Sequence, residues 1–393
     1  MTTHIPENFY DTVSTMRAAQ QEILVNLREI GIEIPDYPDL KNKGREEGAA
    51  VAKAYPMQGI LKYHGMTDWD WRISYLPSIS VNNDAAYSLT LVSFEKQLPQ
   101  DDVTIQGVKS SGRELDRVTR VLDVVREIAG ISTYARVISK NVVRASITGK
   151  GLGTSASGSA ALATAAIAAV FGTEAVENTR FLTTLSRLLA GSGSRSAAGG
   201  VSLWLSHPGI AHEDSFAVRL DSQNQLDNLC LITIPIASKT GLHTETAHGD
   251  APNSQFFRCW MYNRKREIME CISAIQAGDW KTVGQLAELD SIQLHGITMS
   301  GSRENKIFAW EPENIILFRM CNDLRSKGIP VYFSTDTGPT MVLLTDKVYE
   351  NQVVEAIQSL NLNLEIIRGK IAGPSQLVDL ADAVSLDPTF SLR

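Results

Sequence analysis

Apolar residues at Val13, Met16, Leu24, Leu27 and Ile30 recur near the helical interval, so Asp11 to Ile30 is predicted to form a helix that Gly31 stops. The stretch from Ile34 through Glu47 is rich in proline and charge and reads as a linker. From Ala49 the texture changes. Short strands are predicted at Val51 to Tyr55, Ser78 to Val81 and Tyr87 to Val92. Leu115, Val118, Val121, Leu122, Val125 and Ile128 then line one face of a helix from Arg113 to Ala129. Arg144 to Ile147 reads as a strand running into Gly149-Lys150-Gly151-Leu152-Gly153-Thr154-Ser155, and an Ala-rich helix is predicted from Ala156 to Phe171.

A further helix is predicted at Asn178 to Ala190, followed by strands at Val201 to Leu205 and Leu229 to Ile236. Helices follow at about 255–277, 281–290 and 313–327, the last with Pro312 at its start and Gly328 at its stop. Two more strands, Pro330 to Ser334 and Thr340 to Thr345, are joined through Asp336-Thr337-Gly338-Pro339. Strands and helices alternate without the strict period of a doubly wound sheet, so the fold class is α+β. The organisation read from the chain is an extension over 1–50, a domain over 51–222 and a second domain over 223–393.

Length and charge narrow the class. A chain of 393 residues suffices for two domains with their own cores, and 43% apolar with 21% charged residues is the balance of a soluble globular protein. A net charge of −7 argues against nucleic acid as the main partner, while leaving room for a locally basic pocket that takes anionic small molecules. Cys230, Cys259, Cys271 and Cys321 stand far apart without metal-type pairing and read as reduced thiols. No leader of basic and then apolar residues is evident, and no uninterrupted apolar run approaches membrane-spanning length. The expectation is a cytoplasmic enzyme that engages neither membrane nor nucleic acid.

The glycine-rich turn at 149–158 carries the first candidate chemistry. Such a turn at the start of a helix aims backbone N–H groups and the positive helix end at one point, which suits phosphate. Thr154, Ser155 and Ser157 add hydroxyls that can cap the helix, meet phosphate oxygens or touch magnesium. The spacing is neither the Walker pattern nor the dinucleotide fingerprint, and a purely structural cap accounts for it equally well. Arg195 follows a Ser/Gly turn and reads either as a guanidinium free to fork onto a carboxylate or as a surface ion pair. Asp336 reads as an Asx-turn residue, as half of a protease-like Asp-Thr-Gly, or as a catalytic carboxylate.

A resemblance separates these readings. Gly-Leu-Gly-Thr-Ser-Ala-Ser-Gly at 151–158 resembles the phosphate-binding motif of the GHMP-kinase superfamily. Lys62-Tyr63-His64-Gly65 with Pro77-Ser78-Ile79-Ser80-Val81 is similar to the K-Y-W-G and S-I-S-V-T segments of its mevalonate diphosphate decarboxylase branch. Gly191 to Gly200 resembles the branch's G-S-G-S-A-C-R-S-x-x-G-G, Asp290 to His295 its D-S-N-Q-F-H, and Thr335 to Pro339 its F-D-A-G-P. The matches run in family order from about residue 51 to 345.

The resemblance implies a role for each matched residue. Gly151, Gly153, Thr154, Ser155, Ser157 and Gly158 would hold ATP, with Ser155 also near Mg2+. Arg195 would hold the substrate carboxylate, Asp336 would orient or deprotonate the tertiary hydroxyl, and Lys62 would meet developing phosphate charge. Tyr63, Ser192, Ser194, Ser238, Lys239 and His243 would contact the substrate. Three departures stand out. Two residues are missing before Arg195, Met66 replaces the second lysine of the K-Y-W-G-K pattern, and Lys239 replaces an arginine. Met66 and Lys239 fall on groups expected to grip a distal phosphate, and the sequence is most similar to branch members acting on mevalonate 5-phosphate. The resemblance therefore implies a two-domain fold with an N-terminal phosphate-loop domain, a C-terminal ferredoxin-like domain and a cleft between, in a homodimer. Alternatives are decarboxylation of the 5-diphosphate, a 3-kinase that stops after phosphorylation, and a non-catalytic sensor of the same fold.

Overall fold

The computed structural model describes residues 9–144, 152–239, 244–304 and 306–391. Its largest sheet has the order β16 (Gln376–Val378), β1 (Gly48–Ala54), β6 (Ala86–Glu95), β9 (Tyr134–Val143), β7 (Asp102–Ile105) and β8 (Val108–Lys109). All its pairs are antiparallel except β7 with β9. A second sheet runs β11 (Ala217–Arg219), β10 (Val201–Trp204), β5 (Ser78–Asn82) and β2 (Met57–Leu61). The third runs β13 (Tyr332–Thr335), β14 (Met341–Asp346), β12 (Leu229–Ile234) and β15 (Ile367–Lys370), and a small hairpin pairs β3 (Met66–Asp68) with β4 (Ile73–Ser74).

Helices cover these sheets. The first sheet packs against α2 (Gly112–Ala129), α3 (Thr154–Phe171) and, beyond the short α4 (Thr173–Glu177), α5 (Thr179–Ser186). α3 is long and apolar enough to cross a membrane by composition, yet it is the core helix here, buried on nearly every side. Its alanines permit that closeness: a β-carbon on Gly48 of β1 would sit 2.1 Å from the Ala169 carbonyl oxygen. α6 (Gly193–Ala198) leads into β10, and α7 (Thr244–Asp250) precedes the long α8 (Phe257–Gln276) and α9 (Trp280–Gly301). α10 (Pro312–Ser326) and α11 (Glu350–Ser359) cover the third sheet, and α12 (Leu380–Leu386) closes the chain near β1.

The ends of the chain cross the expected domain limits. In the N-terminal extension, α1 (Tyr10–Glu29) buries Ile23 and Leu27 completely in a core shared with the second sheet, α8 and α9. Truncating Leu27 to alanine there would cost about 2–5 kcal/mol, the usual range for a filled core site. At the other end β16 pairs with β1, Val51 opposite Val378, so part of the 223–393 segment completes the first sheet.

Two other differences have clear causes. β9 was not expected, because Arg136, Ser139 and Lys140 interrupt its apolar run, although Ala135 and Val137 alternate inward. The strand expected at 144–147 lies mostly outside the described residues. The helix expected at 281–290 continues to Gly301, where Ser291, His295 and Thr298 share the buried face with Leu294 and Ile297 and blur the apolar period.

Candidate active site

Lys62 follows directly after β2, and the surrounding elements fix it in place. Its N–H donates to Asp290 Oδ2 at 2.6 Å, while Asp290 Oδ1 accepts from Trp260 Nε1 at 2.9 Å and Arg264 Nη2 at 2.8 Å. Arg264 Nη2 also donates to the Lys62 carbonyl at 3.0 Å, closing a wholly buried network from α8 through α9 to the end of β2. The Lys62 ammonium donates to Gly59 O at 2.9 Å and to Ser291 Oγ and Ser334 Oγ, both at 3.0 Å. These partners are neutral, and burial draws its pKa below the ordinary lysine value.

Asp336 sits just after β13. Its Oδ1 accepts from the Gly59 N–H at 3.3 Å, and His295 Nε2 donates to its backbone carbonyl at 2.8 Å. Burial pushes the Asp336 carboxyl up, against the pull of the Lys62 and Arg195 charges. The three elements meet at a glycine. A β-carbon on Gly59 would lie 2.7 Å from both Asp336 Oδ1 and Lys62 Cγ, so glycine admits the two side chains together.

Arg195, on α6, is 1% exposed, with its guanidinium carbon 5.2 Å from the Tyr63 ring centre and 6.0 Å from that of Trp204. Its Nε and Nη1 have no hydrogen-bond partner among the described residues. A buried guanidinium with idle donors is costly unless an anion completes it. Burial lowers its pKa, and Asp336 and Tyr63 oppose the shift.

These residues line one cleft of about 890 Å³, which holds Lys62, Tyr63, Ser192, Arg195 and Asp336 together with Gly153, Thr154, Ser155 and Gly158. Gly153 has φ 69° at the start of α3, and a β-carbon there would approach the Met57 carbonyl oxygen to 2.9 Å. Beside this turn, Ile105, Val118, Val137 and Leu162 give the cleft an apolar wall, with Ser139 and Asn141 adding polar groups. An apolar wall next to a helix N-terminus fits a nucleotide base and its phosphates. No group of three or more His, Cys, Asp or Glu side chains suited to a metal occurs among the described residues. Magnesium keeps most of its waters and needs only one or two protein oxygens, and the Ser155 hydroxyl in the first turn of α3 could supply one.

Other expected residues lie elsewhere. Ser157 Oγ sits 2.6 Å from Ser88 Oγ and donates to Thr154 O, and Ser194 Oγ donates to Gly191 O at 2.9 Å, so neither hydroxyl lines the cleft. The Lys239 N–H donates to Glu311 Oε1 at 2.7 Å, and its ammonium lies 3.9 Å from the same carboxylate. Glu311 turns that segment outward, and neither Ser238 nor Lys239 lines the cleft. Gly151 and His243 lie outside the described residues.

Sequence reading missed the cleft's basic end. Arg72, Arg113 and Arg117 line it with Glu114, Glu245 and His248. Arg72 takes φ 51°, a region that costs a residue with a β-carbon about 1–3 kcal/mol, and its side chain is 13% exposed. His248 Nδ1 accepts from the Gly65 N–H at 3.1 Å, and its ring stacks on Tyr63 at 5.1 Å. Burial drops His248 to a pKa of about 4, so the ring is neutral near pH 7.

The profile of the diphosphomevalonate decarboxylase-like N-terminal domain matches residues 54–217. A phosphomevalonate decarboxylase of Haloferax volcanii is 32% identical over 337 residues, which cover 85% of this chain and 99% of that protein. The mevalonate diphosphate decarboxylase of Staphylococcus aureus has a similar structure, with TM-score 0.76 and 29% identity over 85% of this chain and 98% of its own. A solved complex of MDDEF with MVAPP, AMPPCP and magnesium gives TM-score 0.76 at 26% identity, over 85% of this chain and 99% of its own.

Proposed function

The chain belongs to the family of decarboxylases that act on phosphorylated mevalonates, and we propose that it converts (R)-mevalonate 5-phosphate, with ATP, to isopentenyl phosphate, ADP, phosphate and CO2 in a mevalonate route to isoprenoids. The observation that carries this reading is the buried, unfilled guanidinium of Arg195 facing the buried carboxyl of Asp336 in one cleft. A 3-hydroxy acid, with a tertiary hydroxyl and a carboxylate one methylene away, meets both groups at once.

The roles follow from the contacts. Arg195 Nε and Nη1 take the carboxylate as a fork and hold it where desolvation strengthens the pairing. Asp336 Oδ accepts the proton of the C3 hydroxyl, and its raised pKa brings it closer to the range of a working base. Lys62, bonded only to neutral oxygens, supplies the positive charge that keeps Asp336 ionised until it takes the proton. When bound, ATP with magnesium supplies the phosphoryl group that makes the C3 oxygen a leaving group. The Thr154 and Ser155 hydroxyls, with the start of α3, hold the phosphates. The Tyr63 side chain, hydrogen-bonded to Ser192 and stacked on His248, walls the substrate off from water.

Purified enzyme should be offered mevalonate, its 5-phosphate and its 5-diphosphate in turn, with ATP and magnesium, and the products identified. The 5-phosphate is expected to lead by at least about tenfold in kcat/KM, a difference of about 1.4 kcal/mol. A diphosphate turned over equally well would overturn the substrate assignment and leave the decarboxylase family standing.

A further inference from the structure

The basic end of the cleft contains a carboxylate where phosphate would be expected. Glu245 lies on α7, and its carboxylate pairs with Arg72 at 3.3 Å and with Arg113. α7 is held on three sides. Thr244 Oγ1 lies 3.3 Å from Thr337 Oγ1, beside Asp336; His248 accepts from Gly65; and Glu245 itself reaches across to Arg72 on the β3–β4 hairpin and Arg113 on α2. Arg72 reaches the pair through a left-handed backbone, a conformation that persists where the surrounding contacts fix it. Met66, also lining this end, adds no charge.

We propose that Glu245 sets the number of phosphates the cleft accepts, because its carboxylate already occupies the two guanidiniums that a second, distal phosphate would need. The inference rests on the reaction proposed above and names the residue that selects the monophosphate. Among the described residues, three guanidiniums (Arg72, Arg113 and Arg117) and two carboxylates (Glu114 and Glu245) line this end, one positive charge in excess. One phosphate finds the side of Arg117 that does not donate to the Leu189 carbonyl, with a share of Arg72. A distal phosphate must displace Glu245 and meets a like charge beside it.

The test is calorimetric titration of inorganic phosphate and of pyrophosphate into the full chain, with AMPPCP and magnesium saturating the glycine-rich turn. Wild type is expected to bind pyrophosphate no more tightly than phosphate. Glu245→Gln should gain about tenfold or more for pyrophosphate while phosphate changes by less than about threefold. Glu245→Asp, which keeps the charge, should retain the wild-type order. Unchanged pyrophosphate affinity in a folded Glu245→Gln overturns the proposal, and so does an equal gain for both anions. In turnover, the same variant should narrow the preference for mevalonate 5-phosphate over the 5-diphosphate by about tenfold. The titration needs no turnover, so an enzyme that releases no CO2 from any mevalonate phosphate refutes the reaction and still leaves Glu245 to be decided by anion binding.

Discussion

The two ends of the cleft are built differently. At the reacting end, Lys62, Asp290 and Arg264 are sealed from solvent, held by β2, α8 and α9, and joined by bonds of 2.6–3.0 Å. At the phosphate end, Arg72, Arg113 and Glu245 are 13%, 63% and 30% exposed and meet through a short helix and a strained hairpin. Chemistry common to a family needs the first kind of construction, because a misplaced base loses rate steeply. Choice of substrate needs only the second, because exposed ion pairs can be exchanged with little effect on the fold.

The largest expected effect breaks the reacting end. Asp290→Ala leaves the buried Arg264 only its longer 3.5 Å ion pair with Glu267 and strips the Lys62 N–H and Trp260 of their acceptor, and should cost about 3–5 kcal/mol of stability in denaturant unfolding. Glu245→Ala, at the exposed end, should cost no more than about 1 kcal/mol. Equal losses would erase the contrast between the two ends.

Asp336→Asn should keep fold and ATP affinity while lowering turnover by roughly 10²-fold or more. It should also remove the acid limb of the pH–rate profile. The wild-type carboxyl works only when ionised, its pKa lies above the ordinary 3.8, and activity is lost as pH falls through that raised value. Near-normal turnover in a folded variant would take Asp336 out of the mechanism. Arg195→Lys keeps the charge and loses the fork, so kcat and substrate affinity should both fall, by about tenfold or more in kcat/KM. A change confined to the Michaelis constant for ATP would contradict the carboxylate role. The smallest effect is Lys239→Arg, expected to shift substrate preference by less than about twofold, since Lys239 pairs with Glu311 away from the cleft.

The same contrast explains what could be read from the sequence. Lys62, Arg195 and Asp336 stand in short motifs beside glycines and on element ends, and the family resemblance of those motifs singled them out. Gly59 lies within β2 and carries no motif, yet the placement of Lys62 and Asp336 depends on its missing β-carbon. Asp290 was visible as part of a motif, but its work as a strut between Arg264 and the Lys62 N–H appears only once α8 and α9 pack on β2. Arg72, Arg113 and Glu245 come from segments far apart in the chain, in a hairpin and two helices without family spacing. No periodicity joins them, and the motifs place the distal-phosphate question on Met66 and Lys239, of which only Met66 lines the cleft while its charges come from elsewhere.

The account's central claim is that one site both phosphorylates and decarboxylates, and counting CO2 against ADP tests it most directly. With mevalonate 5-phosphate, ATP and magnesium, wild-type enzyme should release about one CO2 for each ADP throughout the reaction, because Arg195 and Asp336 act on adjacent groups of one bound molecule. ADP formed without CO2, with a 3-phosphorylated product accumulating, would contradict it and make the enzyme a kinase.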